Sequence, residues 1–201
     1  MYGLRIIIAD TDPVFRKYLK EKLLNAGHMV IGEAADGRKA LQMTFNTQPD
    51  LVILNAQLPE RDGLETAKII EEHKVAPVLL VTEIDRQDEV IQALEHWSLS
   101  YILRPVEDTN LFPAIEVCVA TFKKICQYEE KTRKLKQSVE TRKIVERAKG
   151  LLIEFKGMTE QQAFKYIQKL SMDKCIPMHN VAKHLIKALE TRTVTDGSDL
   201  S

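Results

Sequence analysis

The chain has 201 residues, with 29 Lys and Arg against 29 Asp and Glu, 44% apolar residues, 8 Gly and 7 Pro, which suits one large or two small soluble domains with real cores. No stretch approaches the roughly 20 uninterrupted apolar residues of a membrane span, and the opening MYGLRIIIADTD puts acids where a signal peptide needs small residues. A cytoplasmic chain with no membrane partner is therefore expected. Cys118, Cys126 and Cys175 are odd in number and have no CxxC or Cys/His metal spacing, which excludes a disulfide framework and leaves plain thiols. His28, His73, His96, His179 and His184 are scattered without ligand spacing, so neither a metal nor a cofactor is expected.

The zero net charge hides a division. Residues 1–120 carry 12 basic and 19 acidic side chains, a net of −7, whereas residues 121–192 carry 17 basic and 8 acidic, a net of +9. A swing of that size predicts two domains with different partners. The basic half favours a polyanion, because gathered cations gain affinity by releasing counterions from phosphate backbones.

In chain order, 4–9 reads as a buried strand, followed by a helix capped by Thr11 or Asp12 with Pro13 in its first turn. Strands follow at 29–34, 50–55, 77–82 and 100–104, and helices at 38–45, 62–73 and 86–95. Five short apolar runs, each followed by a helical segment, predict an α/β fold with a parallel sheet covered on both faces. In such folds the working site lies beyond the carboxyl ends of the strands. Asp10, Thr11, Asp12, Asn55, Thr82 and Arg104 stand there.

From about 108 a long helix runs to about 157. Its apolar or small residues at 115, 118, 122, 125, 128, 132, 135 and 139 form a heptad seam with one stammer between Ile125 and Tyr128, which predicts a homodimer through 115–139. Two shorter helices follow. One is capped by Thr159 with Gln162 three residues on and ends near Met172, and the other covers about 178–189. Phe155, Phe164, Tyr166 and Met172 at helical spacing are expected in the core of a three-helix unit rather than as platforms for bases. The organisation expected is a first domain over 1–120, a helical linker over 121–140, a small all-α domain over 141–192 and a disordered tail over 193–201.

The run Asp50 to Gly63, DLVILNAQLPERDG, resembles the phosphoacceptor segment of bacterial response-regulator receiver domains, with Pro59 four and Gly63 eight residues past the phosphoacceptor position. Thr82, Tyr101 and the pair Arg104-Pro105 are similar to that family's switch hydroxyl, aromatic and Lys-Pro pair. The resemblance implies a doubly wound sheet of order 2-1-3-4-5. It also exposes departures: where the family has an aspartate, an acidic pair and a lysine, this chain has Asn55, Asp10-Thr11 and Arg104. An amide cannot form an acyl phosphate, and a hard cation is left without two of three expected anions. Arg104 is long enough to pair directly with Asp10. The expectation is a pseudo-receiver that is not phosphorylated and that mediates dimerisation or docks a regulatory protein.

The segment Arg142 to Leu152, RKIVERAKGLL, then GMTEQQAF from Gly157 to Phe164, Leu170-Ser-Met172 and Val181-Ala182, is similar to the ANTAR domain. That resemblance implies binding of stem-loop RNA in messenger leaders and antitermination of transcription, with no catalytic activity. The candidate RNA contacts are Arg142, Lys143, Arg147, Ala148, Lys149 and Gly150, in a stretch of 8 basic residues from Lys131 to Lys149 relieved only by Glu140 and Glu146. A protein-binding regulator and a DNA-binding response regulator remain as alternatives.

Overall fold

The computed structural model describes residues 3–84, 88, 91, 92 and 99–196. The chain divides into two compact units, Met1–Tyr128 and Glu129–Ser201. The division falls inside the expected linker.

The first unit holds β1 (Arg5–Ala9), α1 (Pro13–Asn25), β2 (Met29–Ala34), α2 (Gly37–Thr47), β3 (Leu51–Asn55), α3 (Gly63–Glu72), β4 (Val78–Thr82) and β5 (Ser100–Leu103). All pairings are parallel and the strand order is β2-β1-β3-β4-β5, as expected. The helix expected over 86–95 lies outside the described residues apart from 88, 91 and 92. The two-residue period of the strands sorts their side chains to opposite faces. Ile6, Ile8, Ile53 and Val81 pack with Leu19 and Leu23 of α1. Ile7, Ala9, Leu54 and Leu80 pack with Ala40 of α2 and Ala67 and Ile70 of α3.

Each early helix is capped by an aspartate that satisfies an orphan N–H. Asp12 accepts from Val14, Asp36 from Lys39 and Asp62 from Leu64. Two glycines hold the loop after β3 against its neighbours. A Cβ on Gly63 would sit 1.9 Å from the Asn55 carbonyl oxygen, and one on Gly37 would sit 2.1 Å from that of Arg61, so only glycine allows either approach.

The long helix is α4 (Asp108–Lys156), followed by α5 (Glu160–Lys174) and α6 (Met178–Asp196). Its early apolar residues are already spent. Leu111, Ile115, Cys118 and Val119 lie in the core of the first unit, and the Cys118 thiol donates to the Val78 carbonyl at 3.4 Å. Burial pushes that thiol up to about 11, so it is an inert core group. The seam expected over 115–139 is therefore shortened: Ile115 and Cys118 face inward, while Tyr128, Leu135 and Val139 are exposed. The period alone could not separate a helix packing on its own domain from one packing on a second chain.

In the second unit, Val145, Ala148 and Leu152 of α4 pack with Ala163 and Ile167 of α5 and with Val181, Ala182 and Leu189 of α6. Ala148, Ala163 and Ala182 are wholly buried, which lets the helices approach closely. The capping box expected at Thr159 is present, with Gln162 answering it. Two expectations are corrected. Phe155, Phe164 and Met172 are exposed, because the buried faces of the three helices fall on Val145, Leu152, Ile167, Val181, Leu189 and the three alanines, whereas Tyr166 packs against that core as expected. The final helix runs to Asp196, four residues into the stretch expected to be disordered, and the remainder of that stretch, 197–201, lies outside the described residues.

Candidate functional site

At the carboxyl edge of the sheet, β1 ends on Asp10, which is 1% exposed. Its Oδ1 accepts from the Asp12 N–H at 2.9 Å, and its Oδ2 accepts from Arg104 Nη2 at 2.5 Å. Arg104 follows β5 and lies over the Phe15 ring, 3.9 Å from its centroid, with Glu83 Oε1 3.4 Å from its Nε. A guanidinium with one face on an aromatic ring and one nitrogen on a buried carboxylate is pre-organised for a short charge-assisted bond. Arg16, one turn into α1, donates from Nη1 to the carbonyls of Asp10 at 2.5 Å and Thr11 at 3.3 Å. Glu33 lies 3.7 Å from Arg16 Nε and 2.8 Å from Lys20 Nζ. The loop after β1 is thereby fixed from both sides.

The other expected residues are placed differently. Asn55 is half-buried, and its Oδ1 accepts from the Gln57 N–H at 2.9 Å. Thr82 is buried and its hydroxyl donates to the Glu83 carbonyl at 3.3 Å. Tyr101 packs against the second sheet face. Thr11 is exposed, and the side chain of Asp12 is engaged in capping α1. The carboxylate a divalent metal would need, Asp10, is already held by Arg104 and a backbone N–H. Among the described residues no group of three or more His, Cys, Asp or Glu could hold a metal ion. The donor set here does not fit a hard cation, which wants several oxygen ligands with carboxylates among them. Phe15, Arg16 and Glu83 were not among the residues expected from the sequence.

In the second unit the expected RNA contacts separate into two groups. Arg142, Lys143, Arg147 and Gly150 are exposed, whereas Ala148 and Lys149 are buried. Ala148 belongs to the helix crossing. Lys149 Nζ donates to Glu146 Oε1 at 3.0 Å and Oε2 at 2.9 Å, and to Glu160 Oε1 at 2.7 Å. Those three bonds use all three ammonium protons. Glu160 first, then Glu146, holds the Lys149 ammonium above the usual lysine range, and Lys149 holds the Glu160 carboxyl below the usual range. The expected role of Lys149 and Ala148 at an RNA surface is corrected accordingly: one is an ion-pair hub and the other is core.

Lys143, Arg147 and Gly150 fall at i, i+4 and i+7, one exposed stripe of α4. Arg147 reaches Glu190 Oε1 at 2.5 Å, a pair open to solvent on both sides and so easily exchanged. Gly150 sits in a helix interior, where glycine costs about 1 kcal/mol against alanine. A Cβ there would meet nothing within 4 Å. Nothing among the described residues of the second unit requires that gap.

The Lys149 pair sets an acid limit. Because the Glu160 carboxyl is depressed by its partner, the pair stabilises the second unit above the ordinary value of 4.5 and is lost as pH falls below it. Thermal melts of wild type and Glu160→Gln across pH 3 to 7, followed through the second unit, should show a smaller acid loss in the variant. Equal loss would mean the pair carries no stability.

Comparison with known proteins matches each of the two units to a family. The response regulator receiver domain family matches residues 6–116, and the ANTAR domain family matches residues 133–186. The transcriptional regulatory protein PdtaR of Mycobacterium tuberculosis is 38% identical over 187 residues, covering 93% of this chain and 91% of that protein. The chemotaxis protein CheY of Thermotoga maritima is 28% identical over 114 residues, 56% of this chain and 95% of that one. Among solved structures, a LuxR-family two-component response regulator from Aurantimonas superposes with a TM-score of 0.53 at 27% identity, over 59% of this chain and 86% of the other. The chain belongs to the response regulators of two-component systems, as a transcriptional regulator with a receiver domain followed by an ANTAR domain.

Proposed function

We propose that the chain is an antiterminator that binds stem-loop RNA in messenger leaders through its ANTAR domain, under the control of a receiver that does not take up phosphate. The observation that carries the RNA reading is the exposed stripe of Lys143, Arg147 and Gly150. Two cations, one and two turns before a helix glycine whose gap serves nothing among the described residues of its unit, suit the close approach of a phosphate backbone. Arg142 extends the cationic surface on the adjacent stripe, and the net charge of +9 over residues 121–192 supplies the long-range attraction.

The receiver reading rests on Asn55 and on the Asp10–Arg104 pair. An amide at the acceptor position offers no carboxylate nucleophile, and the pair balances the buried charge of Asp10 without a metal. Control then comes through a docked protein or through assembly. Tyr128, Leu135 and Val139 leave an exposed apolar stripe on α4 that suits a parallel helix from a second copy, a shorter seam than 115–139. Sedimentation equilibrium should give a dimer, and Leu135→Lys a monomer; a monomeric wild type would remove the seam.

For RNA, the purified full-length chain is incubated with a pool of random-loop RNA hairpins, with duplex DNA of matched length as competitor. A common enriched loop is expected. Alanine at Lys143 or Arg147 should weaken binding and flatten the dependence of log affinity on log salt by about one phosphate contact each. Gly150→Ala should weaken binding while raising the melting temperature of the second unit. Equal binding of both nucleic acids, or affinity unchanged in all three variants, would contradict the reading.

A further inference from the structure

We propose that Phe164 is a stacking platform for an unpaired base of the RNA loop, with the amides of Gln161 and Gln168 reading the edge of that base. This rests on the RNA reading above and assigns it a specificity element. The first observation is that Phe164 is 43% exposed, although α5 makes its core contacts through Ala163 and Ile167, both wholly buried. The ring has no aromatic, cation or core partner among the described residues. Phe155 is exposed to the same extent, and a single exposed ring is ordinary on a protein surface, so the choice of occupant rests on what surrounds Phe164.

The surroundings of the ring select its occupant. Gln161 and Gln168 stand at i−3 and i+4, so they lie one turn to either side of Phe164 on the same face, and both are exposed. Lys165 and Lys169, also exposed, flank that face. The nearest acid on it, Glu160 at i−4, is bonded by Lys149 at 2.7 Å, an ammonium it shares with Glu146. The result is an aromatic ring between two amides, beside two ammonium groups and with the nearest carboxylate held on Lys149.

An RNA loop matches each part. Unstacked bases lie on aromatic rings, side-chain amides pair with base edges, adenine best of all because its donor and acceptor match a glutamine bidentately, and the lysines meet phosphates. This division of labour also gives the buried Lys149 a place in binding: it touches no RNA and holds Glu160 away from the bases.

The test uses the full-length chain and the same random-loop RNA hairpin pool, with Phe164→Leu, Phe164→Tyr and Gln168→Ala. Phe164→Leu keeps apolar bulk without a ring. It should lose loop enrichment and bind the wild-type winner about tenfold or more weakly, with the slope against salt unchanged, because no phosphate contact is removed. Phe164→Tyr should retain enrichment, and Gln168→Ala should bind with a changed base preference. 2-Aminopurine in the winning loop should be quenched by wild type and Phe164→Tyr and not by Phe164→Leu. Enrichment and affinity unchanged in Phe164→Leu would overturn the stacking site while leaving the RNA reading intact. A changed sedimentation coefficient or a lowered melting temperature in Phe164→Leu would overturn it in favour of a protein interface or a packing role. Absence of any enriched loop with wild type itself would overturn the RNA reading, and this site with it.

Discussion

The bond between Arg104 Nη2 and Asp10 Oδ2 is the constraint on which the first unit depends at its functional edge. Asp10 is nearly inaccessible to solvent, and an uncompensated carboxylate in such a place is strongly destabilising, by about 3–5 kcal/mol when its partner is removed. Arg104 meets that demand from the end of β5, supported by the Phe15 ring beneath it and by Arg16, which fixes the carbonyls of the same loop. A receiver that balances this charge with a metal is poised to change state when the metal and a phosphoryl group arrive. Here the balance is internal, so the edge of the sheet is complete as it stands.

The same device recurs in the second unit with different parts. Lys149 is buried and satisfied by two carboxylates from α4 and α5, and it ties the end of the long helix to the start of the next. Both hubs convert charges that would otherwise face a ligand into structure. What remains outside them is then the informative surface: in the first unit a neutral Asn55, and in the second an exposed stripe of Lys143, Arg147 and Gly150 and a ring, Phe164, that the core does not use.

The sheet, its order and the capped helices were legible because strand periodicity and aspartate caps are local signals, and the pattern around Asn55, Thr82 and Arg104 gave the family resemblance. The direct pairing of Arg104 with Asp10 was anticipated from the length of its side chain. Long-range placement was not legible. Lys149 looked like one cation among eight, since Glu160 is eleven residues away and meets it only after two helices cross. Phe164 reads as core from its helical spacing and the needs of a small module, whereas the buried face of α5 falls on Ala163 and Ile167. The seam on α4 was over-extended because a heptad period reads the same whether the facing surface is the helix's own domain or a second chain.

The receiver's charge balance is tested most directly by incubating the full-length chain with acetyl phosphate and Mg²⁺ and measuring its intact mass. With Asn55 at the acceptor position and Asp10 held by Arg104, the mass should remain that of the unmodified chain, and RNA binding should be the same with and without the phosphodonor. A labile adduct of about 80 Da, the mass of one phosphoryl group, would contradict the account.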